Sequence, residues 1–372
     1  MKKYLKRTLT IVSLIIIPLL FVSITQKRVD HNTLRIQGFY QEEQNSIDVV
    51  FFGASEVFPG YSPAYAYEKY GFTSYSYAID ANYTKLIKYQ IEEVLSYQSP
   101  KCIIIETSCY YNPRQEEEKK TALATLRKWT DGIPFSKHKT EIISQLTDSD
   151  QLSYYFPFIM YHGNLENYAD IEAEFSQKRR GYTYLKGVTS TNKKTVCNSL
   201  RDVSGDNTIE KLPEKDDIYF KDLLEYCKSL DCKVIFVRFP QRIEDDADYE
   251  MFCTQNYIDR LVAENGFDFI NLDKQFAGIG LNPNKDFYDK HHMNVNGQIK
   301  TTEFIGQMLQ NKYSITATDL SESNKKKWDM SVKYIELFYE YFRIHENDEK
   351  VYWWYENPSL LSKLDTINES YL

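Results

Sequence analysis

The 372-residue chain lacks the common signatures of metal, thiol and nucleic-acid chemistry. It carries six cysteines, Cys102, Cys109, Cys197, Cys227, Cys232 and Cys253, but no CxxC pair and no His/Cys cluster at zinc-ligand spacing. No metal site is therefore expected. No cysteine stands in a motif beside a histidine, which removes the usual signal of a thiol nucleophile. A basic excess is also missing. The formal net charge is −8 and is spread along the chain, which argues against a nucleic-acid partner. Internal repeats and low-complexity tracts are absent, so neither a solenoid nor a disordered polymer is indicated.

What the chain does have begins at its N-terminus. Lys2, Lys3, Lys6 and Arg7 precede an uncharged run over 9–25. At about 1.5 Å per residue that run just reaches across a hydrocarbon core. Basic residues on its N-terminal side predict a single-pass anchor, with the N-terminus cytoplasmic and everything after Lys27 outside the cytoplasm. A cleaved signal peptide is the competing reading, although Ser23-Ile-Thr25 is a weak small-x-small cleavage signal. Outside the cytoplasm a Cys227–Cys232 disulfide is permitted; the other reading makes the cysteines small buried hydrophobes.

Beyond the anchor the pattern is α/β. Short apolar runs at 47–52, 73–78, 102–106, 233–239 and 267–271 read as strands, and the continuous apolar ones suit strands buried on both faces. Helical patterns alternate with them, at 64–70, 83–97, 218–230, 246–265 and 296–310. Strand–helix alternation predicts a mainly parallel sheet in a three-layer fold. The expected organisation is a cytoplasmic tip and anchor at 1–27, a polar spacer at 28–46 and a main domain at 47–312. That domain is interrupted by a largely helical insertion at about 114–216. A helical appendage follows at 313–372, with an amphipathic helix at about 328–344 and then Trp353 and Trp354.

Two segments far apart in the chain carry the chemistry. Asp48-Val-Val-Phe-Phe-Gly-Ala-Ser55-Glu56 is an apolar strand ending in a small-residue turn that presents a serine. Asp286-Phe-Tyr-Asp289-Lys-His-His292-Met-Asn294 is a polar loop offering a carboxylate and an imidazole three residues apart. A serine hydroxyl is a weak nucleophile unless a base takes its proton, and the base needs an orienting acid. Ser55, His292 and Asp289 supply those three parts. His291 competes with His292 as base, and Asp286 competes with Asp289 as acid. Glu56 is a candidate for binding or positioning substrate, and so is His162, within the insertion.

Gly53-Ala54-Ser55 after the first strand, with Asp289-x-x-His292 near the end, resembles the SGNH (GDSL-type) hydrolase superfamily. The resemblance spans roughly 47–310 and includes Tyr155-Phe-Pro-Phe-Ile-Met-Tyr-His162, Arg180-Gly-Tyr, Val234-Ile-Phe-Val-Arg-Phe-Pro240 and Met293-Asn294-Val-Asn-Gly297. It is closer to a membrane-anchored bacterial branch, similar to the D-alanine transfer protein of teichoic acid D-alanylation and to the SGNH domains of surface-polysaccharide loci. The Asp-x-x-His pattern of that family selects His292 and Asp289. It implies a serine acyl esterase or O-acyltransferase that works without metal or organic cofactor on a cell-surface glycan or teichoic acid. It also admits a membrane acyltransferase partner as acyl donor.

The chain departs from the family at the oxyanion hole. The family uses the nucleophile's own N–H, a glycine N–H after the second strand and an Asn side chain in a third block. Here the segment after the second strand is Tyr77-Ala78-Ile-Asp80-Ala81-Asn82, without glycine, and the third block reads Glu106-Thr-Ser-Cys-Tyr-Tyr-Asn112. The oxyanion candidates are thus Ser55, Ala78, Asn82 and Asn112. One lost donor costs about 100- to 1000-fold in turnover. The departure leaves a second reading open: a catalytically degenerate SGNH domain that binds glycan or scaffolds surface-polymer assembly.

Overall fold

The computed structural model describes residues 30–110, 119–147, 150–161, 184–346 and 358–371, with a few positions before residue 30. Five strands form one sheet: β1 (Val49–Gly53), β2 (Ser74–Ala78), β3 (Cys102–Glu106), β4 (Lys233–Arg238) and β5 (Asp268–Asn271). All pairings are parallel and the order is β2-β1-β3-β4-β5. The chain leaves β1 toward β2 on one side and returns to β3 on the other. The carboxyl end of β1 is therefore the topological switch point, where open α/β sheets place their ligands.

Alternation along each strand sends side chains to two separate cores. Val50, Phe52, Ile103, Ile105, Val234 and Phe236 meet residues of the Leu86–Leu95, Glu214–Cys227 and Asp246–Glu264 helices. Val49, Phe51, Ile104, Ile235 and Val237 face the other way, toward Ala66, Ile305 and Leu309 of the Pro63–Tyr70 and Val295–Asn311 helices. Helices thus cover both faces, as the continuous apolar strands require. Each fully buried side chain of this kind contributes about 1.5–3 kcal/mol.

Asp48, buried at the amino end of β1, ties three segments together. Its carboxylate accepts from Thr73 N at 2.9 Å and from Thr318 N at 3.2 Å, and Lys101 Nζ lies 2.9 Å away. The entries to β2 and β3 and the start of the C-terminal region are held at one point.

Two segments differ from expectation. The polar spacer read at 28–46 contains a helix, His31–Phe39, that belongs to the core. Ile36 and Phe39 join the first core, while the wholly buried Arg35 donates to Gly187 O at 2.6 Å and Ala78 O at 3.1 Å. The helix at Glu322–Ile344 starts six residues before the amphipathic stretch read at 328 and packs on Pro63–Tyr70 and Pro358–Tyr371. Its Trp328 is fully buried against Tyr67, ring centroids 4.9 Å apart. Between β3 and β4 the described part of the insertion is helical over Lys119–Thr130, Lys137–Leu146, Gln151–Tyr155 and Phe158–Tyr161, whereas 187–213 is irregular chain.

None of the six cysteines is in a disulfide, including Cys227 and Cys232. Among the described residues no helix is long and apolar enough to cross a membrane; most of the apolar run at 9–25 lies outside them, as do Trp353 and Trp354.

Candidate active site

The turn after β1 is shaped by what surrounds Gly53. Its φ is +153°, a region that L side chains rarely adopt, and an added Cβ would sit 2.6 Å from Glu106 Cβ and 2.9 Å from Val57 Cγ2. Glycine here lets the strand end bend over the buried Glu106 and present Ser55. Ala54 is 5% exposed, so the small residue before the serine is also packed.

The Asp289–His292 loop is anchored separately. Phe287 and Met293 form an isolated antiparallel bridge across its base. Asn294 caps the Val295–Asn311 helix through Asn296 N at 2.9 Å, and its amide donates to Lys285 O at 2.7 Å and Lys193 O at 3.1 Å. Gly297 has to be glycine, because a Cβ would lie 2.3 Å from Asp286 O. Asp286 accepts from Asn282 N at 2.6 Å and Lys300 Nζ at 2.7 Å. It is a staple of the loop and not a partner of either histidine.

These two scaffolds bring Ser55, His292 and Asp289 together. Ser55 Oγ is 2.7 Å from His292 Nε2. His292 Nδ1 is 2.9 Å from Asp289 Oδ2 and 3.0 Å from Oδ1. Asp289 Oδ1 also accepts the backbone N–H groups of His291 and His292, both at 2.8 Å, which holds the carboxylate against the ring. Tyr288 stacks on the imidazole, centroids 5.3 Å apart at 7°. With Nδ1–H donated to Asp289, the Nε2 lone pair faces the serine proton, as a general base requires.

Charge around His292 favours its protonated form. Burial pushes its pKa down, but the hydrogen bond to Asp289 and the charges of Glu56, Asp289 and Asp80 outweigh burial, and the net shift is upward. For Asp289, burial pushes the pKa up and the His292 contact with the two backbone donors more than reverses this. His291 goes the opposite way. Burial lowers its pKa, and its Nδ1 is engaged with Gln241 Oε1 at 3.0 Å. The two adjacent histidines are thereby separated into one facing the serine and one held in a supporting network.

The oxyanion candidates divide. No described group accepts from the backbone N–H of Ser55 or of Glu56, so both remain available to a substrate oxygen. Ala78 is fully buried and registers beside Gly53 at the end of β2. Asn82 does not point into the site as an oxyanion donor would. Its amide donates to Gly53 O at 2.8 Å and to Gln90 Oε1 at 2.9 Å, so it holds the end of β1 in place. Asn112 and His162 lie outside the described residues, as does Arg180. Glu56 accepts from Gln241 Nε2 at 3.1 Å, which makes it part of the site's support.

That support was not anticipated. Arg238, at the end of β4, donates to Asp273 at 3.1 Å, Ser108 Oγ at 2.6 Å and Gln241 Oε1 at 2.6 Å. Glu106, at the end of β3, accepts from Ser108 N at 2.8 Å. Burial and the nearby Glu56 charge push the Glu106 pKa up against the pull of Arg238. Glu106 Oε2 and Glu56 Oε2 are both buried with no hydrogen-bond partner among the described residues. The available signal was a charged residue closing each of two apolar strands, on the sheet edge where Ser55 sits.

No protein-family model matches the chain, and no curated protein matches it significantly.

Proposed function

We propose that the chain is a serine acyl esterase or O-acyltransferase of the SGNH type, acting outside the cytoplasm from an N-terminal membrane anchor. The observation that carries this reading is the continuous Ser55–His292–Asp289 hydrogen-bond chain, with contacts of 2.7 and 2.9 Å. Ser55 Oγ attacks an ester carbonyl while His292 Nε2 takes its proton. His292 then protonates the leaving alkoxide, and the acyl group rests on Ser55. Water or an acceptor hydroxyl next gives its proton to His292 and attacks the acyl-enzyme, and the proton returns to Ser55 as the product leaves. Asp289 keeps the tautomer and stabilises the imidazolium. The Ser55 and Glu56 N–H groups supply the oxyanion contact.

The sign of the site supports an uncharged or cationic acyl donor over an anionic one, since Glu56, Asp80 and Asp289 all act on His292. A cell-surface glycan or teichoic acid hydroxyl suits the proposed location. The anchor rests on the basic residues and apolar run of the first 27 residues. The competing reading, a non-catalytic glycan-binding or scaffolding module, draws on the turn after β2, where Ala81 takes φ 46° without being glycine and Asn82 is turned inward.

The test is turnover of p-nitrophenyl acetate by wild type, Ser55→Ala and His292→Ala. The proposal expects a burst and turnover in wild type, both lost in the two variants. Equal background rates in all three would favour the binding module.

A further inference from the structure

A second histidine–aspartate pair stands on the rim of the same site. The turn after β2 lies beside the nucleophile's turn, because Ala78 registers with Gly53 and Asn82 holds Gly53 O at 2.8 Å. Asp80, in that turn, is clasped by the first helix of the domain. Asn32 Oδ1 accepts from Asp80 N at 2.8 Å, Asn32 Nδ2 donates to Asp80 Oδ2 at 3.2 Å, and His31 Nε2 makes a close contact with the same oxygen. Lys128 Nζ adds a bond to Asp80 O at 3.1 Å. The His31 ring lies 6.4 Å from the ring of Phe58, three residues beyond Ser55. The Asp80 charge is felt at His292.

This degree of fixation is more than a surface ion pair needs. His31 and Asn32 hold the carboxylate while Asn32 and Lys128 hold the backbone N–H and carbonyl of the same residue, yet the histidine side chain stays 40% exposed. In the neutral ring Nε2–H is donated to Asp80, with Asn32 Nδ2 also 3.3 Å from Nε2, and Nδ1 is left as a lone-pair acceptor that no described group uses. A buttressed imidazole acceptor near the turn that carries Ser55 is suited to a ligand hydroxyl.

We propose that His31, held by Asp80, is an acceptor-positioning residue that binds a hydroxyl of a polyol or sugar whose neighbouring hydroxyl attacks the acyl group on Ser55. The inference rests on the reading of Ser55 as acyl carrier. In the transfer step the attacking O–H gives its proton to His292, the new ester C–O bond forms as the Ser55 C–O bond breaks, and the proton passes to Ser55 Oγ. His31 exchanges no proton with the reacting atoms. It accepts a hydrogen bond from the second hydroxyl and raises the share of acyl-enzyme captured by the polyol over water.

The experiment uses the full chain in detergent micelles with p-nitrophenyl acetate as donor and glycerol as the polyol probe, measuring the burst rate and the ratio of acetylglycerol to acetate. His31→Ala removes the ring, and His31→Phe keeps its packing against Phe58 while deleting both nitrogens. One lost hydrogen bond predicts a rise of about 3- to 10-fold in the KM for glycerol in both variants. The loss falls on transfer, with the burst retaining its wild-type rate constant. A transfer ratio equal to wild type in both variants would overturn the inference, as would burst and transfer falling in equal proportion, which marks a structural role. Wild type that forms a burst but no acetylglycerol also overturns it and leaves the esterase reading standing. Wild type without a burst overturns both.

Discussion

At the scale of single residues, the proposed mechanism requires His292 to be neutral when it accepts the serine proton, and its pKa is raised above the ordinary value near 6.5. Acylation is therefore lost as pH falls through that raised pKa, and the acid limb of kcat/KM should sit above pH 6.5. Asp289→Asn removes the main group holding the pKa up. The limb should shift to lower pH while the plateau drops about 10²- to 10⁴-fold; a pH–rate profile of both proteins reads both effects. Glu106 gives a prediction of stability. Its pKa is raised in the folded state, so between the unfolded and folded values the native protein binds the extra proton. That contribution is fully present below the unfolded pKa and is lost as pH rises through the folded one. Glu106→Gln keeps the acceptor for Ser108 and removes the titration. Its melting temperature should exceed that of wild type by a few degrees at pH 8.5, with a smaller difference at pH 5. Gly53→Ala should cost roughly 2–5 kcal/mol by denaturant unfolding, from strain at φ +153° and from the 2.6 Å approach to Glu106. That Ser55, His292 and Asp289 would meet was legible because each stands in a short segment with its own spacing. Glu106, Arg238 and Gln241 were not. They come from two segments more than 130 residues apart, the ends of β3 and β4, and a buried polar network acquires meaning only when the strand ends stand side by side.

At the scale of elements, the five strands could be read from the sequence, since runs such as Cys102-Ile-Ile-Ile105 are continuously apolar and fit a sheet covered on both faces. The Pro63–Tyr70 helix could be read from its glycine stop at Gly71, which takes φ 80°. The His31–Phe39 helix could not. Its sequence, HNTLRIQGF, is as polar as a linker, and it is buried through hydrogen bonding as much as through apolar contact. Arg35 in particular reads as a solvated charge, yet it is sealed between two backbone carbonyls with its guanidinium 3.6 Å from the Phe58 ring centroid. Phe39 packs edge-on against Tyr40, Tyr75 and Tyr77. Phe39→Ala should cost about 3–5 kcal/mol in equilibrium unfolding. A chain beginning at residue 40 should lose the cooperative transition that one beginning at residue 30 retains, and a linker role for this segment would predict no difference between them.

At the scale of the whole molecule, a doubly wound sheet delivers its polar residues to one edge, and the candidate site draws on several of its connections. Ser55 follows β1, the support network closes β3 and β4, Asp80 of the second pair follows β2, and Asp289 and His292 precede the Val295–Asn311 helix. The C-terminal region belongs to the same body. Trp328 is buried in the main core and Thr318 bonds the carboxylate of Asp48 at the foot of β1. Removing residues after 312 should expose that core and lower the melting temperature, with the catalytic atoms left in the chain. The most direct test of the central claim is intact-protein mass spectrometry after exposure to a fluorophosphonate, followed by peptide mapping. The account predicts one adduct, located on Ser55 and absent from Ser55→Ala and His292→Ala. An adduct elsewhere, undiminished labelling of His292→Ala, or no adduct on folded wild type would contradict it.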